Sequence, residues 1–425
     1  MATRRIAMLT AIICLTMMTA FPATASAATV GGDLICLHWT LDDNGRLDIV
    51  RKADGYDGLM YEFPEDDNIV AWQGYRNRIK TTVIHEGVQT IGHNAFKDCV
   101  NLKSVTLPDS LERIGQNAFL GCSSLTEVSL PHWVTIYPAA FAECTALTHF
   151  EFPEGSYYVG SNQFRDCTAL RRVTLPGSVK QIGPYAFCNC TALTDISLPD
   201  GLEVIDMFAF TGCKKLADLT IPASVTALGD FAFSECAFTD VAVPPGITEL
   251  SDGVFSYCRS LESVVFPGPV TVIRRQAFMG CAALKALSLP ETITEIGKQA
   301  FYGCTDLESL SIRSDTVTID EQAFQDCARL TLCCRLDSDA YIFASGHGIP
   351  RRPLTEHLLD LPAGLEEITP ETFAGLASAD AVRIPAGVTR IADDAFAGSE
   401  VVLLLPAGSP WIAWAADHGL EAFIE

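Results

Sequence analysis

From Ala95 onward the chain repeats one pattern of apolar and polar positions. Quoted once, Ala95-Phe96-Lys97-Asp98-Cys99 is followed by Leu102, by Val105-Thr106-Leu107-Pro108, and then by Leu111 and Ile114-Gly115. The phenylalanine recurs at Phe96, Phe119, Phe141, Phe164, Phe187, Phe210, Phe233, Phe255, Phe278, Phe301 and Phe324, in steps of 23 residues with two of 22. The same phase returns at Phe373 and Phe396, again 23 apart. In Val105-Thr106-Leu107 apolar residues flank a polar one, which predicts a short half-buried strand. Pro108 ends it, because proline cannot donate to a sheet ladder. Asp109-Ser110 reads as a turn, after which Leu111 and Ile114 point back inside, and Gly115 permits the bend that follows. Gln116 to Cys122 reads as one helical turn on the convex side, with Phe119 inserted into the core. A single coil cannot bury its own apolar face, so the coils must stack. Stacking sets the strands side by side in a parallel sheet, about 4.8 Å apart.

A period between 20 and 29 residues with this density of Leu and Ile indicates an α/β repeat, a leucine-rich repeat solenoid with its parallel sheet on one face. The two shorter steps have visible causes. Between Phe233 and Phe255, Phe238 stands where other coils place a Leu one residue later; between Phe119 and Phe141, the missing residue lies after Pro131. Both deletions fall where loops are expected to absorb them.

The run Ala-Phe-x-x-Cys-x-x-Leu-x-x-Val-x-Leu-Pro resembles the BspA-like class of bacterial leucine-rich repeats, over residues 79–332 and 358–406. Trp39-Thr40-Leu41-Asp42-Asp43-Asn44-Gly45-Arg46-Leu47-Asp48-Ile49 resembles the hairpin that caps such arrays, and Trp72, Tyr75 and Arg76 resemble its link to the first coil. The resemblance implies an exported protein that binds host or microbial partners through the solenoid surface, with no shared catalytic residues. His85 and Arg313 replace the strand-ending Pro, Leu376 and Ser399 replace the Cys, and the array is interrupted after Cys334.

Six segments follow from the pattern. Residues 1–27 read as a signal peptide: Arg4 and Arg5 precede an apolar run from Ile6 to Phe21, then Ala25-Ser26-Ala27. Residues 28–78 form an N-terminal β cap, with Asn44-Gly45 as a two-residue type I′ hairpin signal. Residues 79–334 are the main array. Residues 335–357 form an end-type helical cassette and linker, 358–406 a short second array, and 407–425 a C-terminal capping helix. The two end segments share Ala-x-x-His-Gly followed by Ile or Leu, at His347 and at His418. Each reads as a short helix closed by a glycine cap. About two coils are too few to stand alone, so the short array is expected to pack on the first or continue it with a bend.

Composition narrows the function. With 48% apolar and 19% charged residues the chain is globular rather than disordered. Its net charge is -23, and -25 once Arg4 and Arg5 are removed (-23 minus 2). Nucleic acid and anionic membrane surfaces call for Lys/Arg patches, so both are disfavoured. No segment after residue 27 reads as a membrane span. The expected location is secreted or at the cell surface.

The candidate chemistry is sparse. Eleven of the 16 cysteines, Cys99 to Cys327, each follow a repeat Phe by three residues. One thiol per coil does not make a metal cluster. Disulfides suit an exported chain, but stacked side chains point the same way and an odd number cannot pair fully. Packing as a small buried hydrophobe is the simpler reading. Cys36, Cys188, Cys333 and Cys334 lie off the ladder, Cys188 in a position that reads as exposed. Cys36-x-His38 lacks a third partner for a nucleophile site, Asp42-Asp43-Asn44-Gly45 lacks the spacing of a calcium loop, and no catalytic or phosphate-binding motif appears. No cofactor or metal site is expected, and the chain does not read as an enzyme.

The remaining candidate is the outward strand face. Thr106, Ser129, Thr174, Ser197 and Thr220 form a row of small hydroxyls, beside Glu127, Asp195, Asp218 and Asp240. Solenoids present such faces as extended binding platforms. The leading expectation is a non-catalytic, adhesin-like protein engaging a protein or glycan. The alternative is a structural spacer or passive surface antigen, whose face would be uniformly polar.

Overall fold

The computed structural model describes residues 29–34, 36–53, 60, 71–354, 358–373, 381–397, 399 and 401–424. The signal-peptide reading of residues 1–27 therefore lies outside the described residues, as does Leu376. The described coils of the main array stack on one another, joined to their neighbours by backbone hydrogen bonds on up to three sides.

The first side is the expected strand row. Ser104–Thr106 pairs in parallel with Thr81–Ile84 and with Glu127–Val128, and Arg172–Thr174 lies between His149–Glu151 and Asp195–Ile196. The second side is a further parallel row of two-residue strands around the inward Ile or Val, for example Thr90–Ile91, Arg113–Ile114 and Thr135–Ile136. The third side differs from the sequence expectation. Residues 116–122 form a run of turns rather than a helical one. Alternate amides face the next coil: Asn94, Phe96 and Asp98 donate to the carbonyls of Gln116, Ala118 and Leu120 at 3.0, 2.7 and 2.8 Å. The amides between them close local turns, as Lys97 does to Asn94 at 3.1 Å. Two left-handed residues per coil make this possible, at φ 57° and 58° for Asn94 and Asp98 and at 56° and 74° for Asn117 and Gly121. A helix would spend those amides inside its own coil and leave the third side unpaired.

The core runs the length of the stack. From Phe96 to Phe324 each repeat phenylalanine stacks on the next, with centroids 5.1–6.1 Å apart and planes within 19°. Both ends are sealed by other aromatics. At the N-terminal end strands Val30–Asp33, Leu37–Leu41 and Arg46–Arg51 form an antiparallel meander whose last strand pairs in parallel with Thr81–Ile84. Trp72 stacks on Phe96 at 5.7 Å, and its indole N–H donates to the Ala95 carbonyl at 2.8 Å. The hairpin itself is not type I′. Gly45 alone is left-handed (φ 88°), its amide bonds to the Asp42 carbonyl, and the Asp42 amide bonds to the Arg46 carbonyl. That is a type I turn with a glycine bulge, in which the Asp42 carboxylate accepts the Arg46 N–H.

At the other end of the ladder the helix Asp339–His347 closes it, capped by Ser338 and by left-handed Gly348. Its Phe343 meets Phe324 edge-on at 6.1 Å. The helix Trp411–Asp417 repeats the arrangement: Trp414 meets Phe396 edge-on at 6.2 Å. In both, a histidine folds back onto the helix. The Nδ1 of His347 and of His418 lies 2.8 and 2.7 Å from the carbonyls of Phe343 and Trp414, with each ring stacked on the same residue. The short array has its own core around Val382, Ile384, Leu403 and Leu405. It meets the cassette of residues 335–357 where Leu336 packs on Ala381, Val402 and Leu404 and where Arg351 pairs with Glu421 at 2.6 Å.

Candidate functional site: the outward strand face

Alternation along each strand decides what the face displays. Ser104–Thr106, Arg172–Thr174 and Asp240–Ala242 all read exposed, buried, exposed. The outward positions Thr106, Ser129, Thr174, Ser197 and Thr220 are all exposed, as are Glu127, Asp195, Asp218 and Asp240. Parallel pairing brings part of this set together in register. His149 lies beside Arg172 and Arg172 beside Asp195, while Glu151 lies beside Thr174.

The row is not continuous. Residues 216–222 form no strand, so Asp218 and Thr220 are exposed but stand outside the ladder. The 22-residue step from Phe233 to Phe255 explains this. The residue missing from that coil lies just ahead of its strand, and the Ala237 amide bonds to the Leu216 carbonyl at 3.0 Å. The paired strand resumes only at Asp240–Ala242, against Ser263–Val265.

Nor is the face uniformly acidic. Arg172 holds the same offset as Glu127, Asp195, Asp218 and Asp240, and its Nε meets the Asp195 carboxylate at 2.6 Å. Sequence reading counted the acids in that column and passed over the arginine. Asp240 accepts hydrogen bonds from the hydroxyls of Ser263 and Thr239, which hold its carboxyl below the usual range. The pair and the acid are well exposed, so their electrostatic worth is small.

The other candidates resolve differently. The ladder thiols have partners: from Cys122 to Cys327 each Sγ donates to the carbonyl of the preceding coil's repeat Phe, at 3.0–3.3 Å. Every described cysteine is free of disulfide. Burial pushes the Cys99 and Cys258 thiols up to about 12. Cys188 is buried rather than exposed, and Cys333 and Cys334 are buried in the strand Thr331–Cys334. In the cap, Cys36 is buried, while His38 faces solvent with its Nδ1 2.7 Å from Asp33. Among the described residues no three His, Cys, Asp or Glu side chains converge to hold a metal, and no helix is long and apolar enough to cross a membrane.

The geometry matches known proteins at the level of fold. A leucine-rich repeat protein from Bacteroides ovatus is 24% identical, with 95% of this chain and 100% of that one covered and a TM-score of 0.59. A leucine rich cell surface protein from Faecalibacterium prausnitzii is 26% identical, covering 75% of this chain and 98% of its own, with a TM-score of 0.47. No curated protein matches the chain. The profile of the BspA type leucine rich repeat region matches residues 73–194, 180–281, 248–335 and 355–403. With most of its length matched, and with a ladder of Phe and Cys repeating through every coil of the main array, this chain belongs to the BspA type leucine rich repeat family.

Proposed function

We propose that the chain is an exported, non-catalytic, adhesin-like binding protein that engages a protein or glycan partner through the outward strand face. The observation that supports this reading is the face itself. Small hydroxyls at Thr106 and Thr174 in the strands, and at Ser129 and Ser197 one residue beyond them, are set into solvent, with charged side chains of both signs beside them. Such residues offer donors and acceptors without bulk, so a flat or extended partner can approach the backbone of several coils at once. Glu127, Asp195, Asp218 and Asp240 outnumber Arg172 in the flanking column, which favours a partner carrying basic groups. Export rests on the basic, apolar and Ala-x-Ala segments of residues 4–27.

The test is capture. Immobilised protein is challenged with extracellular matrix proteins and cell-surface glycans at low and at high salt. A saturable partner whose affinity falls as salt rises is the expected result. A protein that retains nothing from the whole set is a spacer, and the proposal fails.

A further inference from the structure

Trp133 and Tyr157 are the two most exposed large apolar side chains among the described residues, at 76% and 64%. Trp133 sits in the turn that follows the first strand of its coil, and Tyr157 lies just past the matching turn of the next coil, directly before the strand Tyr158–Val159. In other coils the place of Trp133 is filled by small residues such as Ser110, Ser178 and Gly201. The next coil offers Gly155 there, and a Cβ on Gly155 would lie 3.2 Å from the indole ring. The indole therefore rests one side on bare backbone and leaves the other to water. Tyr157 is held from behind, because its carbonyl accepts the Lys180 amide at 2.9 Å.

The same two coils break the repeat at this turn. One is a residue short, and the other puts Ser156 where Leu111, Val179 and Leu202 are buried. The Ser156 hydroxyl bonds to the Pro153 carbonyl at 2.8 Å instead of filling the core. A repeat that breaks its own rule in two consecutive coils here, at the cost of wetting two aromatic rings, carries the mark of a site.

We propose that the Trp133–Tyr157 rim is a glycan site that takes the apolar face of a neutral pyranose. The C–H bonds on that face carry partial positive charge and fit the negative face of an indole. The ring hydroxyls then lie at the edge, where exposed His132 and Glu154 adjoin Trp133 and Gly155 in the chain. Glu154 and the net charge of -23 select against anionic sugars. This inference shares the premise that the solenoid surface binds, but not the strand face as its location.

The experiment is affinity electrophoresis of the full chain through gels containing mannan, galactomannan, laminarin or xyloglucan, with heparin gels and phosphatidylcholine vesicles as controls. At least one neutral polysaccharide is expected to retard the protein. Trp133→Ala should weaken that binding about tenfold or more, as for a truncated hot-spot tryptophan. Trp133→Phe should keep most of it, and circular dichroism should show all variants folded. Retardation lost in Thr174→Arg plus Ser197→Arg but kept in Trp133→Ala would place the sugar on the strand face and overturn this proposal, so the two sites stand or fall separately. Retardation by none of the four, equal retardation of Trp133→Ala, or binding to heparin or vesicles alone would overturn the proposal.

Discussion

A thiol that donates to a carbonyl one coil away explains why cysteine recurs where any small apolar residue would fit. The Phe187 carbonyl already accepts the Cys190 amide at 3.0 Å, and the Cys213 thiol takes its second lone pair at 3.2 Å. Sequence reading found the packing role of these residues from their period, but not the bond, because the accepting carbonyl lies 26 residues away. The end of the ladder behaves differently from its middle. Cys327 is partly exposed, unlike the other ladder thiols. Cys258 is buried, with its thiol raised by desolvation to about 12. Only the thiolate alkylates. Brief treatment of the native protein with iodoacetamide at about pH 8 should therefore label Cys327 well ahead of Cys258. Mass spectrometry showing equal labelling at the two would contradict the ladder as described.

Elements were legible to different degrees. The first strand of each coil, outside residues 216–222, and the inward Leu, Ile and Phe followed from spacing alone, since one face of each coil must be buried. The convex segment did not. Apolar spacing across residues 116–122 fits a helical turn, and that reading ignored a second signal. Asn94, Asp98, Asn117, Gly121, Asn162 and Asp166 occupy the positions two before and two after the repeat Phe, and all are left-handed. These are the residue types that tolerate that conformation. Where Tyr185, Phe208 and Phe231 take it instead, their rings stack on one another at 4.8 and 5.1 Å. The caps close the ends of a solenoid that is held by its neighbour contacts. Trp72 is almost fully buried, covers Phe96 and satisfies the Ala95 carbonyl. Trp72→Ala should cost about 3–5 kcal/mol, the range for a deleted core aromatic. Hydrogen exchange should show protection lost first in the coils nearest the cap. Uniform loss along the array would contradict a local sealing role.

Across the whole molecule the buried thiols add up. The ladder thiols from Cys99 to Cys281 have a folded-state ionisation raised above its ordinary value by burial. The stability they contribute is fully present below about pH 8.5, where the unfolded chain is also protonated. It is lost as pH rises toward the folded values, by about 1.4 kcal/mol per pH unit for each thiol that ionises only on unfolding. Tm should therefore fall steeply between about pH 9 and pH 11, and a flat profile over that interval would show that the thiols are not buried together. The surface was less legible than this core. Residues of the outward face could be named from alternation, but the Arg172–Asp195 pair and the strand lost at 216–222 depend on register between coils, which one coil's sequence does not display. That register also chooses the best probe of function. Thr174 and Ser197 are exposed and follow Val173 and Ile196, which are paired strand neighbours, whereas Thr220 stands outside the ladder. The most direct measurement is the affinity of a captured partner for the protein before and after Thr174→Arg plus Ser197→Arg, with circular dichroism confirming the fold. Binding through the strand face requires a loss of about tenfold or more, the effect of blocking the centre of an interface. Unchanged affinity in the folded double variant would remove that face as the site.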